Sequence, residues 1–252
     1  MRDLEKRLKK ELQQNIKVKL IDSASWSIAV HSIEVEFKPI KRTKMDVLMK
    51  MMLLTFQKAQ ITKVDQLSDL LLVEQLFLED LLNIMGRTGL IEKRESIFAL
   101  TDRGLRQLEN GIFEEEQETK SHTLLYSPCH EDFLQGEIKP ALDGEEELEI
   151  YRYAKEESAK IKFEDLQVID ALRTSGVEAE EGEGDIQTVI SEIVSTSELY
   201  IDDIPCLEFI LYNEEEDLLY ARVWNTLLEQ WDETLENELN EKERVNWKEK
   251  YL

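Results

Sequence analysis

Residues 98–111 read FALTDRGLRQLENG, and the stretch joins a strand to a helix. The hydroxyl of Thr101 is placed to accept from an amide two or three residues later, which starts a helix over DRGLRQLENG. Immediately upstream, LIEKRES and SIFALT (residues 90–101) form two short strands around a turn. Gly89 stands where a helix from about Val73 to Gly86 has to stop. A shorter segment covers Val64 to Leu72. Before it, MDVLMKMMLLTFQKA has helical spacing, with Val47, Leu48, Met51, Leu54 and Phe56 as a broad apolar face expected to enter a core. Its methionines read as gap-filling core residues rather than an adaptable binding surface.

This order of helix, short helix, longer helix, two-stranded ribbon and closing helix resembles the winged helix-turn-helix superfamily over about residues 44–113. Leu100, Thr101, Gly104 and Leu108 fit its pattern Leu-Thr-x-x-Gly-x-x-x-Leu, and Gly89-Leu90-Ile91 fits the exit of the third helix into the first wing strand. The resemblance implies a central winged-helix domain. It does not choose a function, because the fold serves as DNA reader, dimerisation module and protein dock. A DNA reader would present its third helix to the major groove with cationic and amide side chains. Here that helix reads VEQLFLEDLLNIMGRTG, with Glu74, Glu79 and Asp80 and no basic residue before Arg87. Arg87, Lys93, Arg94 and Arg103 are the candidate nucleic-acid contacts of a wing-led reader. The carboxylates favour a structural or protein-docking role instead. Acidic winged-helix subunits that bind chromosome-organising or other nucleic-acid machines as non-enzymatic adaptors offer an analogy in fold and charge.

Outward from this centre, Leu4, Leu8 and Leu12 give residues 3–14 a narrow apolar stripe on an otherwise mainly basic helix, able to dock on its own protein or on a partner. IKVKLID, SIAV and IEVEFK alternate with period two, which predicts two or three short antiparallel strands separated by a Ser-rich turn and ended by Pro39. Beyond residue 113, the run EEEQE reads as a linker or helix extension. HTLLYS and ELEIYRYA are strand candidates, and FEDLQVIDALRTSG is a helix stopped by Gly176. VEAEEGEGD has nothing to bury and reads as a solvated, mobile loop. TVISEIV precedes a hairpin of PCLEFILY and LLYARVW across NEEED. A last helix runs from about Thr226 to Asn240 with Leu227, Leu228, Trp231, Leu235 and Leu239 on one stripe, followed by a polar end carrying Trp247 and Tyr251.

The net charge of −24 on 252 residues is unevenly placed: +6 over residues 1–60, −3 over 61–111 and −27 over 112–252. The acidic second half should repel nucleic acid and suit a basic protein surface. No apolar run reaches the length needed to span a bilayer. Cys129 and Cys206, the two cysteines of a chain long enough to bury a core without staples, are expected to be reduced. A cytoplasmic protein is the expectation.

Motifs for chemistry are weak. His122, Cys129, His130, Glu131 and Asp132 crowd around SPCHED, but no second cluster completes a zinc site, so a polar turn is expected. Asp22 and Glu36-Phe37-Lys38 have the residue types of a metal-dependent nuclease yet also fit an ordinary alternating strand. Glu145-Glu146-Glu147 and Glu214-Glu215-Glu216-Asp217 lack the pattern of a calcium loop and read as solvated turns. No phosphate-cradling Gly-rich loop and no nucleophile elbow occur, so no cofactor, no metal and no catalytic residue is assigned. Trp224, Trp231 and Trp247 are candidate anchors for a protein partner, unless they cover the preceding hairpin.

The expectation is an α+β protein with an N-terminal helix and strands (1–43), a winged-helix domain (44–113) and an acidic α+β domain (114–252). It would act as a non-catalytic adaptor or subunit docking on a larger assembly, one acting on nucleic acid. The alternative is a winged-helix DNA-binding regulator with an acidic effector or autoinhibitory domain. Self-association is open in both.

Overall fold

The computed structural model describes residues 1–139, 148–154, 162–177 and 186–251. In chain order its elements are α1 (Arg2–Leu12), β1 (Val18–Lys44), α2 (Val47–Lys58), α3 (Val64–Leu71), α4 (Gln75–Arg87), β2 (Ile91–Arg94), β3 (Ile97–Leu100), α5 (Asp102–Asn110), β4 (Ile112–Glu116), β5 (Lys120–Ser127), β6 (Asp132–Leu134), β7 (Glu149–Ile150), α6 (Asp165–Thr174), β8 (Ile186–Asn213), β9 (Leu218–Asn225), β10 (Gln230–Trp231) and α7 (Glu233–Tyr251). The mixture of helix and strand is that of an α+β protein. No described helix is long and apolar enough to cross a membrane.

The chain forms two compact units, neither continuous in sequence: residues 1–35, 122–167 and 196–252 make one, and 36–121 with 168–195 the other. The division expected near residues 43 and 113 is therefore not the one observed, because β1 and β8 each contribute residues to both units.

In the first unit, β8 and β9 pair antiparallel from Cys206↔Asn225 to Asn213↔Leu218, and β10 extends the ladder through Trp231↔Trp224. The alternation along these strands sorts side chains to two covered faces. Cys206, Ile210, Leu219, Ala221 and Val223 join Trp26, Ile28, Val30, Tyr151 and the α7 residues Leu235, Leu239 and Trp247 in the larger core. Leu207 and Phe209 face the other way, onto Leu8 of α1 with Leu4, Leu12, Leu20, Trp224 and Trp231 around them. Cover on both sides explains why CLEFIL is almost continuously apolar.

Two strand expectations need correction. β1 is one unbroken strand rather than two or three, and TVISEIV and PCLEFILY belong to one strand, β8. The Ser-rich segment continues β1 because Trp26 and Ile28 are drawn into the core and β7 pairs in parallel with Trp26 and Ser27. Pro39 does not end β1 either. The Gln117 amide donates to its carbonyl at 2.9 Å, one step beyond the Ile40↔Glu116 pair, so its missing N–H falls at the end of the β4 ladder.

The last helix starts later than its apolar spacing predicts. Asn225 Oδ1 accepts from the Leu227 amide at 2.9 Å, turning the chain into β10, and the Asp232 carboxylate then accepts from the Leu235 amide at 3.2 Å to open α7. Leu227 and Trp231 thus precede the helix, and Trp247 lies on it.

In the second unit, Asp46 opens α2 by accepting from the Leu48 and Met49 amides at 2.8 and 3.3 Å. The buried side of α2 is Met49, Met52, Leu53 and Phe56, packed with Leu67, Leu78, Leu82, Met85, Leu90 and Leu108. The expected face is corrected here: Val47, Met51 and Leu54 point outward, 72 %, 46 % and 37 % exposed. A helix apolar on every side leaves periodicity no face to choose. Thr101 caps α5 as its position predicts, accepting from the Gly104 amide at 3.0 Å and donating to the Gly89 carbonyl at 2.6 Å. Gly104 is required by contact, because a Cβ there would stand 2.0 Å from the Leu90 carbonyl oxygen.

The acidic run after α5 is a strand, not a linker or helix extension. Ile112–Glu116 pairs antiparallel with β1, placing Glu114 opposite Arg42 and Glu115 opposite Lys41, and opposite charges across a ladder favour the pairing. VEAEEGEGD lies almost wholly outside the described residues, as does Glu145-Glu146-Glu147. In NEEED, Glu214 and Glu215 pair with Lys19 and Lys17 at the exposed hairpin turn.

Candidate docking face

The three tryptophans proposed as partner anchors are engaged within the chain. Trp247, on α7, is 4 % exposed and faces the core, which corrects its assignment as a presented anchor. Trp224 and Trp231 pack edge to face at 5.3 Å over the cluster that receives α1, with Arg7 and Arg222 near their rings at 6.0 and 4.4 Å. The N-terminal helix docks on its own protein.

SPCHED forms the β5–β6 turn, and its histidine has a partner no local pattern announces. His130 Nε2 lies 2.9 Å from Asp232 Oδ2, to which Asn225 Nδ2 also donates at 2.9 Å, while Ser127 Oγ lies 2.7 Å from His130 Nδ1. Burial pushes the Asp232 carboxyl up, but the bonds from His130, Asn225 and the Leu235 amide outweigh it and hold the group below its ordinary value. The order Ser–His–Asp has the types of a hydrolytic triad. Yet Ser127 is 0 % exposed and Asp232 3 %, so no substrate carbonyl reaches the hydroxyl, and the carboxylate is occupied at the start of α7. Its work is to tie the β5–β6 turn to the α7 N-terminus.

Asp22 and Glu36 do not form a metal pair. Both lie on β1, rather than on neighbouring strands; Asp22 accepts from the Tyr251 hydroxyl at 2.6 Å and Glu36 from Ser195 Oγ at 2.8 Å. Among the described residues no group of three or more His, Cys, Asp or Glu side chains has metal-holding geometry.

Three of the four candidate nucleic-acid cations are held by carboxylates. Arg87 donates to Glu115 at 3.2 Å, Arg103 to Glu116 at 2.7 Å and Arg94 Nε to Glu92 at 2.7 Å, while Lys93 lies 5.1 Å from the Phe98 ring centroid. The β4 carboxylates offset the two cations nearest the α4 C-terminus and α5, and Glu92 offsets Arg94, which leaves Lys93 as the ribbon cation without an ion pair among the described residues.

The outward side of α3 and α4 contrasts with this. Leu78, Leu82 and Met85 hold α4 in the core, which leaves Leu76 and Phe77 71 % and 64 % exposed. Leu72, in left-handed backbone at the end of α3, is 89 % exposed and Leu70 59 %. Glu74, Glu79 and Asp80 are exposed around them. The sequence signal for this apolar patch was a surplus: LLLVEQLFLEDLL holds more large apolar residues than one helical face can bury. Comparison with family models, with curated proteins and with solved structures finds no match for this chain.

Proposed function

We propose that the protein is a non-catalytic docking subunit in which α2–α5 and the β2–β3 ribbon act as a winged-helix scaffold. Its α3–α4 side receives a partner protein whose apolar surface is rimmed by cations, within an assembly that acts on nucleic acid. One observation carries the reading: the helix that would enter a DNA groove in a winged-helix reader instead exposes Leu76 and Phe77 among Glu74, Glu79 and Asp80. Exposed apolar area gives such a contact its affinity, and the acidic rim selects a basic partner and excludes phosphate backbones.

The test is capture from the native host on tagged full-length protein, with and without nuclease, alongside the variant Leu76→Ser with Phe77→Ser. Both side chains are exposed, so the variant should fold as the native chain does. A stoichiometric protein retained after nuclease and lost with the variant supports the reading. Recovery of DNA alone, lost on nuclease treatment, would make the module a reader.

A further inference from the structure

A groove of about 660 Å³ lies between α5 and the β1–β4 ladder; Arg42, Arg103, Arg106 and Gln107 line it together with the carboxylates Glu114 and Glu116 and the apolar Ile40 and Ile112. Gln107 is 5 % exposed, and its Oε1 accepts from the Glu114 amide at 3.1 Å. That bond fixes the amide orientation. The other end, Nε2, is a buried donor with no hydrogen-bond partner among the described residues, and buried donors are ordinarily satisfied.

The charges around it are unequal. Arg42 donates to Glu114 at 2.8 Å and Arg103 to Glu116 at 2.7 Å, whereas Arg106 is exposed and forms no ion pair among the described residues. One positive charge is left over beside an unused donor. Ile40 and Ile112, the latter 41 % exposed, supply apolar wall.

We propose that this groove binds a small organic oxyanion, a carboxylate or phosphate monoester on an apolar body. Its oxygens accept from Gln107 Nε2 and pair with Arg106, and its body lies against Ile40 and Ile112. The volume suits a small metabolite, and an ionised acceptor is the strongest partner for an amide and a guanidinium together. This site is separate from the α3–α4 face and does not depend on the docking reading.

Calorimetric titration of the full-length chain at low salt with benzoate, phenyl phosphate, acetate and inorganic phosphate tests the proposal. Benzoate or phenyl phosphate should bind about ten-fold or more tighter than the matching small anion, and whichever binds assigns the headgroup. Arg106→Gln removes an exposed side chain with no ion-pair partner among the described residues, and Gln107→Glu keeps the acceptor for the Glu114 amide while replacing the N–H group. Each should weaken binding about ten-fold or more. Absence of heat from all four probes at about 10 mM, equal binding of the aromatic and small anions, or unchanged affinity in Arg106→Gln overturns it. Thermal melts verify that both variants fold.

Discussion

Asp232 shows how much one side chain does once the chain folds. It caps α7, receives Asn225 and pairs with His130, all while 3 % exposed. Because its folded pKa is held below the ordinary value, its stabilisation is complete above the unfolded carboxyl pKa of about 3.9 and is lost as pH falls through the lower folded value. Nearby Glu236 has the opposite sign. Burial raises its pKa against the Val223 amide and Arg222, so its contribution is complete below the ordinary carboxyl range and lost as pH rises through the raised value. Asp232→Asn isolates the first effect. Urea unfolding should show a loss of about 3 kcal/mol at pH 7, and the gap to the native chain should narrow below about pH 4. A gap that stays constant with pH contradicts this account.

Among the elements, β4 gathers three ion pairs on one short strand. Its three glutamates accept from Arg42, Arg87 and Arg103 at 2.8, 3.2 and 2.7 Å. Each pair is exposed enough to add only about 0.2–1 kcal/mol, but together they offset Arg87 and Arg103, two of the four cations a wing-led reader would use, and the neighbouring Arg42. Glu114→Gln, Glu115→Gln and Glu116→Gln combined should therefore cost no more than about 2–3 kcal/mol. Fluorescence anisotropy should show the native chain without useful duplex affinity and the triple variant with binding at low salt that declines steeply as salt rises. The same strand lacks any local strand signal: an acidic run has no apolar alternation, and the basic stretch opposite, Lys41 and Arg42, favours its pairing. α2 and α4 present the converse case, with too many apolar residues for spacing to say which are buried.

For the molecule as a whole, α1 covers the sheet face that α7 does not. Leu8 is 0 % exposed against Leu207 and Phe209. Leu8→Ala should cost about 2–5 kcal/mol in urea unfolding followed by tryptophan fluorescence, since Trp224 and Trp231 border the same cluster. A change below about 1 kcal/mol would mean that α1 is dispensable to that face.

The sequence by itself determined the local structure wherever a short-range chemical signal was complete. Thr101 and Gly104 mark the start of α5, Gly89 the exit from α4, Gly176 the end of α6, and the polar NEEED turn the β8–β9 hairpin. Such signals act over a few residues of backbone and need no distant partner. The tertiary structure alone decided what depends on residues far apart in the chain: that β1 and β8 run unbroken, that β4 is a strand, that His130 meets Asp232, that Trp247 is buried while Leu76 and Phe77 are exposed, and that Gln107 and Arg106 line one groove. Burial and charge pairing are properties of the assembled neighbourhood. A spacing of apolar residues can offer a face, but only the packed chain can occupy it.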